Sequence, residues 1–132
     1  MKFLGFDVKE HRVNIRNRKR ENATNLHKNV LLIIKEIFPV DQILEELYLP
    51  GSGGLYADFF LPLRKLIVEV HGRQHYEFIP YFHKTKLEFL KAQARDRKKI
   101  EWCELNKIGL IELSYLETVN EWRSKIQAIR TG

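Results

Sequence analysis

The sequence contains a single cysteine, Cys103, and its longest uninterrupted apolar run covers only residues 30–34. One cysteine excludes an intramolecular disulfide and a cysteine-based structural zinc site. A run of five residues is far too short to cross a bilayer. The N-terminus also lacks the basic and then apolar pattern of a secretory leader. These absences predict a cytoplasmic protein with no membrane partner and no structural zinc.

The composition is that of a globular protein with a positive charge surplus. The chain has 132 residues, of which 44% are hydrophobic and 30% are charged, enough for one domain with one core. Its 23 Lys and Arg residues outnumber its 17 Asp and Glu residues, which gives a formal net charge of +6. A surplus of this size favours an anionic partner, and nucleic acid is the usual one for a small basic domain.

Most of the surplus charge lies near the N-terminus. Residues 1–20 contain seven Lys and Arg residues but only two acids, Asp7 and Glu10. Apolar residues are sparse between positions 8 and 22, so we predict a basic arm over residues 1–22. The arm either contacts phosphate groups or serves as a solvated tail. Its candidate nucleic-acid-binding residues, together with one from a later loop, are Lys9, Arg12, Arg16, Arg18, Lys19, Arg20 and Arg73.

Residues 23–132 predict one domain of the α/β class. Thr24 or Asn25 can cap a first helix, and Pro39 ends it. Apolar runs at 43–49, 55–61, 65–71 and 108–113 predict strands, and helical spacing covers 84–107 and 117–129. The order is therefore αβββαβα, a central mixed sheet flanked by helices.

Two acids interrupt otherwise apolar strands. Glu69 lies within Leu-Ile-Val-Glu-Val, and Asp58 lies between Tyr-Ala and Phe-Phe-Leu. A buried carboxylate is costly unless a cation, a proton or a hydrogen-bond donor compensates it. Side chains on neighbouring strands are close enough to share one hard ion such as Mg²⁺. The alternative is that Arg or Lys side chains pair with both acids.

Histidines follow the second acidic strand. His71 projects from the same strand face as Glu69, and His75 comes four residues later. Either imidazole can accept a proton from water. The alternative to this catalytic role is a zinc ion held by both histidines and a carboxylate.

On the long helix, Asp96 falls within an apolar stripe. Lys99 either pairs with Asp96 or reaches a phosphate.

Four aromatic residues come after these histidines, in the segment that leads to the long helix. We expect them to pack over the end of the sheet, and stacking against nucleic-acid bases is the alternative. They are Tyr76, Phe78, Tyr81 and Phe82.

The motifs Tyr-Ala-Asp58-Phe-Phe-Leu-Pro, Glu69-Val-His71-Gly-Arg-Gln-His75 and Arg95-Asp-Arg-Lys-Lys99 resemble the PD-(D/E)XK nuclease superfamily. The similarity is to the very-short-patch-repair endonucleases and to the phage homing endonucleases of the EDxHD type, over roughly residues 24–116. It implies a restriction-endonuclease-like fold and a Mg²⁺-dependent endonuclease, with Mn²⁺ as a substitute. It also implies double-stranded DNA as partner, in a bacterial or phage-infected cell.

The resemblance further implies roles for individual residues. The metal would be held by Asp58 and the main-chain carbonyl of Val70, with Glu69 as a direct or water-mediated ligand. The superfamily lysine is replaced here by His71, and the cysteines of the very-short-patch zinc site are absent. The remaining candidate catalytic residues are His71 or His75 as the base, Gln74 and Lys99 to orient water or phosphate, Asp96, and Glu46 or its neighbour Glu45 as an additional acid.

Three further expectations concern assembly and alternatives. A double-strand break by one small active site would require a homodimer or two encounters. A binding module without catalysis on a nuclease-like scaffold would use the same basic residues. A nuclease for RNA or branched DNA would use the same phosphate chemistry.

Overall fold

The computed structural model describes residues 1–13, 15–16, 18–21 and 23–131 of the chain. Two short 3₁₀ turns, Pro62–Arg64 and Arg73–His75, precede and follow the third strand of the main sheet. From the first helix onward the order αβββαβα is confirmed. The helices and strands in these residues are β1 (Lys2–Leu4), β2 (Glu10–Arg12), α1 (Asn25–Ile37), β3 (Leu44–Tyr48), β4 (Tyr56–Leu61), β5 (Leu66–His71), α2 (Lys86–Leu105), β6 (Gly109–Ser114) and α3 (Val119–Thr131).

The main sheet is mixed, as predicted. Its strand order is β3-β4-β5-β6, with antiparallel pairing from β3 to β5 and parallel pairing of β5 with β6. A parallel pair requires a crossover connection, and α2 supplies it. The β4–β5 connection is the tight Pro62–Arg64 turn, which ends at Lys65 in the left-handed region with φ 49°.

The two faces of the sheet bury different helices, because side chains alternate along each strand. Val68 of β5 packs in a core with α1 and α3, whereas its neighbour Ile67 packs in a second core with α2. The helical residues in the first core are Val30, Ile33, Ile34, Ile37, Trp122 and Ile126. The second core contains Phe3, Leu44, Leu47, Leu49, Leu55, Ala57, Phe60, Ile67, Trp102, Cys103 and Ile108.

Residues 2–12 form a β-hairpin that packs on the second core. β1 pairs antiparallel with β2, and the Phe3 ring lies 5.8 Å from Phe60 and 5.3 Å from Trp102. Asn106 at the end of α2 bonds both the N–H and the C=O of Leu4. The low apolar content predicts an arm that does not order itself, but residues 2–12 are ordered, because backbone pairing and one buried ring are sufficient. The predicted arm also includes Asn14, Asn17 and Asn22, which lie outside the described residues.

The long helix α2 is only partly buried. Of its residues, Trp102 and Cys103 are buried, and the Trp102 indole donates to the Pro50 carbonyl at 3.0 Å. The rest of the helix carries most of its charged side chains to solvent. Within the ranges that the structure covers, no helix combines the length and apolar character needed to span a membrane.

Candidate active site

Asp58 and Glu69 face each other where β4 and β5 separate. The strand pairing ends at Phe59 and Val68, so Asp58 and Glu69 are the next opposed residues. The Asp58 N–H donates to Glu69 Oε2 at 2.8 Å, and the Val70 N–H donates to Asp58 Oδ2 at 2.8 Å. Each carboxylate therefore takes a backbone donor from the opposite strand. The predicted convergence of the two acids is present in the structure.

Glu69 is compensated by Lys99 of α2. Its side chain is only 2% exposed, and Lys99 Nζ donates to Oε1 while the Asp58 N–H occupies Oε2. Burial and then the nearby Asp58 raise the pKa of Glu69 to about 8, and Lys99 opposes this rise. Burial acts to lower the pKa of Lys99, but Glu69 outweighs it, so the pKa is raised. This is the lysine pairing that the sequence left open as the alternative for a buried acid.

Arg20 lies beside the other oxygen of Asp58. Its Nη1 is 3.9 Å from Asp58 Oδ1, and its Nε is 3.8 Å from Glu46 Oε2. Glu46 has a left-handed backbone with φ 50°, which interrupts β3 opposite Asp58. Glu45 instead points into the core, where His27 Nε2 is 2.9 Å from its Oε1. Of the two candidate additional acids, Glu46 is therefore the one that shares a cation with Asp58.

His71 and His75 form a stacked pair. Their ring centroids are 4.1 Å apart and the planes differ by 6°. His75 Nδ1 lies 2.9 Å from Asp96 Oδ2, and His71 Nδ1 lies 3.8 Å from Glu112 Oε2. The partner of Asp96 is thus His75, while Lys99 is bonded to Glu69.

The environment shifts the pKa values of His71 and Asp96. Burial and then the neighbouring His75 lower the pKa of His71, so its imidazole stays neutral to lower pH than usual. Burial acts to raise the pKa of Asp96, but the hydrogen bond from His75 and the nearby charges outweigh it, and the pKa is lowered. A neutral imidazole and an ionised carboxylate can both accept protons or bind a cation.

A cavity of about 430 Å³ connects some of the candidate residues to solvent. Asp58 and Lys99 line it from β4 and α2, and Arg20 reaches it from the segment before α1. Glu69 is buried and is not part of its wall. The polar side chains around the cavity are Arg20, Thr24, Asp58, Gln74, His75 and Lys99.

The donor set around Asp58 fits a Mg²⁺ ion that retains most of its water. Mg²⁺ in proteins takes one or two carboxylates and keeps several waters. Asp58 is partly exposed, and its Oδ1 faces Arg20 at 3.9 Å, beyond hydrogen-bond distance, whereas both oxygens of Glu69 accept protein donors. An ion here would therefore rest on Asp58, and sharing between Asp58 and Glu69 would require Lys99 to release Glu69.

His71, His75 and Asp96 form a group of side chains that could hold a metal ion. One ligand atom from each of these side chains lies within 4.8 Å of the other two. The three come from the end of β5, the following 3₁₀ turn and the middle of α2. This group corresponds to the zinc alternative that the sequence spacing raised.

Three of the predicted nucleic-acid-binding residues have protein partners, and the other four are described by their exposure. Arg18 Nε donates to the carbonyls of Glu45 and Glu46, both at 3.0 Å, so it anchors the chain along β3. Arg73 pairs with Glu77 at the surface. Arg20 faces the acids of the cavity, as described above. The remaining four are exposed residues near the N-terminus: Lys9, Arg12, Arg16 and Lys19.

The aromatic residues after the histidines are not all packed. Phe78 lies 6.1 Å from the His83 ring and 6.5 Å from Phe89, and His83 Nδ1 accepts a bond from the Ile79 N–H. Tyr81 is 87% exposed and Phe82 is 57% exposed. Phe78 therefore packs against His83 and α2, and the packing prediction is wrong for Tyr81, because the turn held by His83 directs it into solvent.

The sequence analysis did not predict the contacts that His27 and Arg20 make near the site. His27 is buried on α1, stacks on Phe59 at 4.2 Å and pairs with Glu45. Its position on the apolar stripe of the helix, next to Val30 and Ile34 at helical spacing, was a signal that could have indicated a buried polar partner. Arg20 beside Asp58 had no such signal, since the chain brings them together only by folding.

Comparison with known proteins finds three viral relatives described only as uncharacterized. Protein 307L of Invertebrate iridescent virus 6 is 46% identical over 65 residues, which are 49% of this chain and 33% of that protein. Protein 033L of Invertebrate iridescent virus 3 is 41% identical over 64 residues, 48% of this chain and 33% of that protein. Protein 094L of Frog virus 3 (isolate Goorha) is 38% identical over 68 residues, 50% of this chain and 44% of that protein.

The matched part of this chain thus spans less than half the length of each of these relatives. Their viral origin agrees with the expectation of an infected cell, without distinguishing phage from other viruses. No family model matches the chain, and no solved structure matches it. The similarity therefore associates about half of the chain with viral proteins whose printed names give no activity.

Proposed function

We propose that the protein is a Mg²⁺-dependent endonuclease that hydrolyses phosphodiester bonds in double-stranded DNA, on a restriction-endonuclease-like fold. The observation that carries this proposal is the cavity shared by an acid, an imidazole, an amide and two cations: Asp58, His75, Gln74, Lys99 and Arg20. The mixed sheet and the order αβββαβα support it, since they agree with the fold that the resemblance implies. The homing type and the phage origin rest on the resemblance alone.

Asp58 would hold the ion, together with the main-chain carbonyl of Val70. The bound ion would supply Lewis-acid polarisation of the phosphate and a more acidic water. Mn²⁺ would serve as a substitute because carboxylate and carbonyl oxygens suit both ions. Glu69 remains paired with Lys99, so its role is to hold Lys99 and the Asp58 backbone in place.

His75 is the proton acceptor in this proposal. Its Nδ1 lies 2.9 Å from a carboxylate oxygen of Asp96, so the Nδ1–H tautomer is favoured and Nε2 is left to accept a proton. Asp96 remains ionised because its pKa is lowered, and it would stabilise the imidazolium that forms. His71 stacks face to face on His75, with ring centroids 4.1 Å apart.

Two cations at the cavity would bind the scissile phosphate. Lys99 and Arg20 both line the cavity, and both are held there by carboxylates. Gln74 lies in the same wall and can orient a water or a phosphate oxygen. The exposed basic residues of the N-terminal segment would contact the DNA backbone on either side, which fits the net charge of +6.

The test is cleavage of a supercoiled plasmid in Mg²⁺ by the wild type and by Asp58→Ala. We expect the variant to lose nicking and to retain DNA binding and its circular dichroism spectrum. Asp7→Ala is the matched control, because Asp7 is a surface acid paired with His11 in the hairpin. Undiminished nicking by Asp58→Ala would remove the proposal.

A binding module without catalysis is the second candidate, favoured by the engagement of both Glu69 oxygens. A gel shift with tight DNA binding, together with no cleavage in Mg²⁺ or Mn²⁺, would support it over the endonuclease. A panel of RNA and branched-DNA substrates distinguishes the remaining substrate classes. Sedimentation with and without DNA tests the homodimer that a double-strand break would need.

A further inference from the structure

We propose that His71, His75 and Asp96, with Glu112 as a fourth ligand, bind one Zn²⁺ ion at a site distinct from Asp58. Ligand atoms of the first three lie within 4.8 Å of one another, and Glu112 Oε2 is 3.8 Å from His71 Nδ1. Two imidazoles and two carboxylates form a mixed nitrogen and oxygen donor set that suits Zn²⁺ better than Mg²⁺.

The four side chains share a cavity of their own. It has a volume of about 290 Å³, and Gln93 and Arg97 of α2 complete its polar wall. The side chains of His75 and Asp96 are 23% and 22% exposed and that of Glu112 is 43% exposed, so an ion can reach them from solvent. His75 lines both this cavity and the one that contains Asp58.

Zinc binding requires a small rearrangement of the rings. A tetrahedral ion with bonds of about 2.0–2.1 Å holds its donor atoms about 3.3 Å apart. The His75–Asp96 pair is 2.9 Å apart, the His71–Glu112 pair is 3.8 Å apart, and the donor atoms of His71, His75 and Asp96 lie within 4.8 Å of one another, so some of the donors must move closer together. The two imidazoles now lie face to face, with planes 6° apart, so an ion in one ring plane is outside the other. One ring must therefore turn about its Cβ–Cγ bond. His75 can do so more readily, since it is on a turn and less buried than His71.

Bound zinc would also affect the activity proposed above. A Zn²⁺ ion on the imidazole of His75 occupies the group that would accept a proton from water. Zn²⁺ should then inhibit cleavage that Mg²⁺ supports. This consequence rests on the proposed function, whereas the binding itself does not.

The test is calorimetric titration of the untagged full chain with Zn²⁺, without DNA. We expect one equivalent to bind, and we expect His75→Ala and Asp96→Ala each to weaken binding by about tenfold or more. Co²⁺ in place of Zn²⁺ should give visible absorption bands that both variants lose. His11→Ala is the matched control, because His11 pairs with Asp7 and, among the residues that the structure describes, the two belong to no three-ligand group. Its loss should not change Zn²⁺ binding.

Glu112→Gln provides a second variant with little effect on folding, since the side chain is largely exposed at the edge strand. It should weaken Zn²⁺ binding and alter the Co²⁺ spectrum. Equal Zn²⁺ affinity in the wild type, His75→Ala and Glu112→Gln would overturn the proposal. Zinc binding without DNA cleavage would leave this site standing and remove the endonuclease. Cleavage without zinc binding would do the reverse.

Discussion

Lys99 and Glu69 illustrate how a single residue contact supports this protein. Glu69 is fully enclosed in β5, and its charge is compensated by one ammonium group and one backbone N–H. Breaking a buried ion pair from one side is much more damaging than replacing both partners, because an uncompensated charge remains. The stability of the central strand therefore depends on the presence of Lys99.

We predict that, at a pH above the value of about 8 to which the pKa of Glu69 is raised, Lys99→Met lowers the free energy of unfolding by about 3–5 kcal/mol, because the ionised carboxylate loses its cation. The double variant Lys99→Met with Glu69→Leu should recover most of that loss. Lys98→Met, at the exposed neighbouring position, should change stability by less than about 0.5 kcal/mol. Urea unfolding followed by circular dichroism measures all three. A Lys99→Met protein as stable as the wild type would show that Glu69 does not need this partner.

At the scale of elements, the helix starts are set by local chemistry. The sequence predicts that Thr24 or Asn25 caps the first helix, and the structure confirms Thr24. Its Oγ1 accepts from the His27 N–H at 3.2 Å, and Asn25 is the first helical residue. Thr85 caps α2 in the same way, accepting from the Glu88 N–H.

We predict that Thr24→Ala destabilises the protein by about 1 kcal/mol, because one N–H of the first turn loses its acceptor. Asn25→Ala is the matched control at the adjacent exposed position, where a change within about 0.5 kcal/mol is expected. Thermal unfolding at one protein concentration measures both. Equal losses in the two variants would mean that the cap does not contribute specifically.

At the scale of the whole molecule, side chains also connect elements that are distant in sequence. Arg123 of α3 donates to Glu36 of α1 at 2.8 Å, which joins the two helices on one face of the sheet. The hydrogen bond and the charge of Arg123 lower the pKa of Glu36 from its ordinary 4.5. A carboxylate with a depressed pKa stabilises the fold above its unfolded pKa, and this contribution is lost as the pH falls through the folded pKa.

We therefore predict that Arg123→Ala lowers the melting temperature at pH 7, and that its difference from the wild type shrinks as the pH falls below 4.5. Lys28→Ala removes an exposed cation from α1 and should show no such pH-dependent difference. Calorimetric melting of the three proteins from pH 3 to pH 7 is the measurement. A constant difference between Arg123→Ala and the wild type would contradict the prediction.

The fold of the N-terminal segment could not be predicted from local sequence patterns. The sparse apolar residues and high charge of this segment favour a solvated arm, but Phe3 inserts between Phe60 and Trp102 and orders the hairpin. The residues that contact the Phe3 ring, Phe60 and Trp102, are far from Phe3 in the sequence. The pocket for this ring exists only after the sheet and α2 have packed together.

The sequence by itself determined the three helices, the four strands of the main sheet and their order, because caps, prolines and alternation of apolar residues act within a few positions of the chain. It also determined that buried acids would lie beside histidines, since Glu69 and His71 share one strand face. Only the tertiary structure decided which charged side chains pair with each other. Lys99 reaches Glu69 and Asp96 reaches His75 because α2 crosses the sheet at one particular position, and electrostatic partners tens of residues apart are chosen by that crossing.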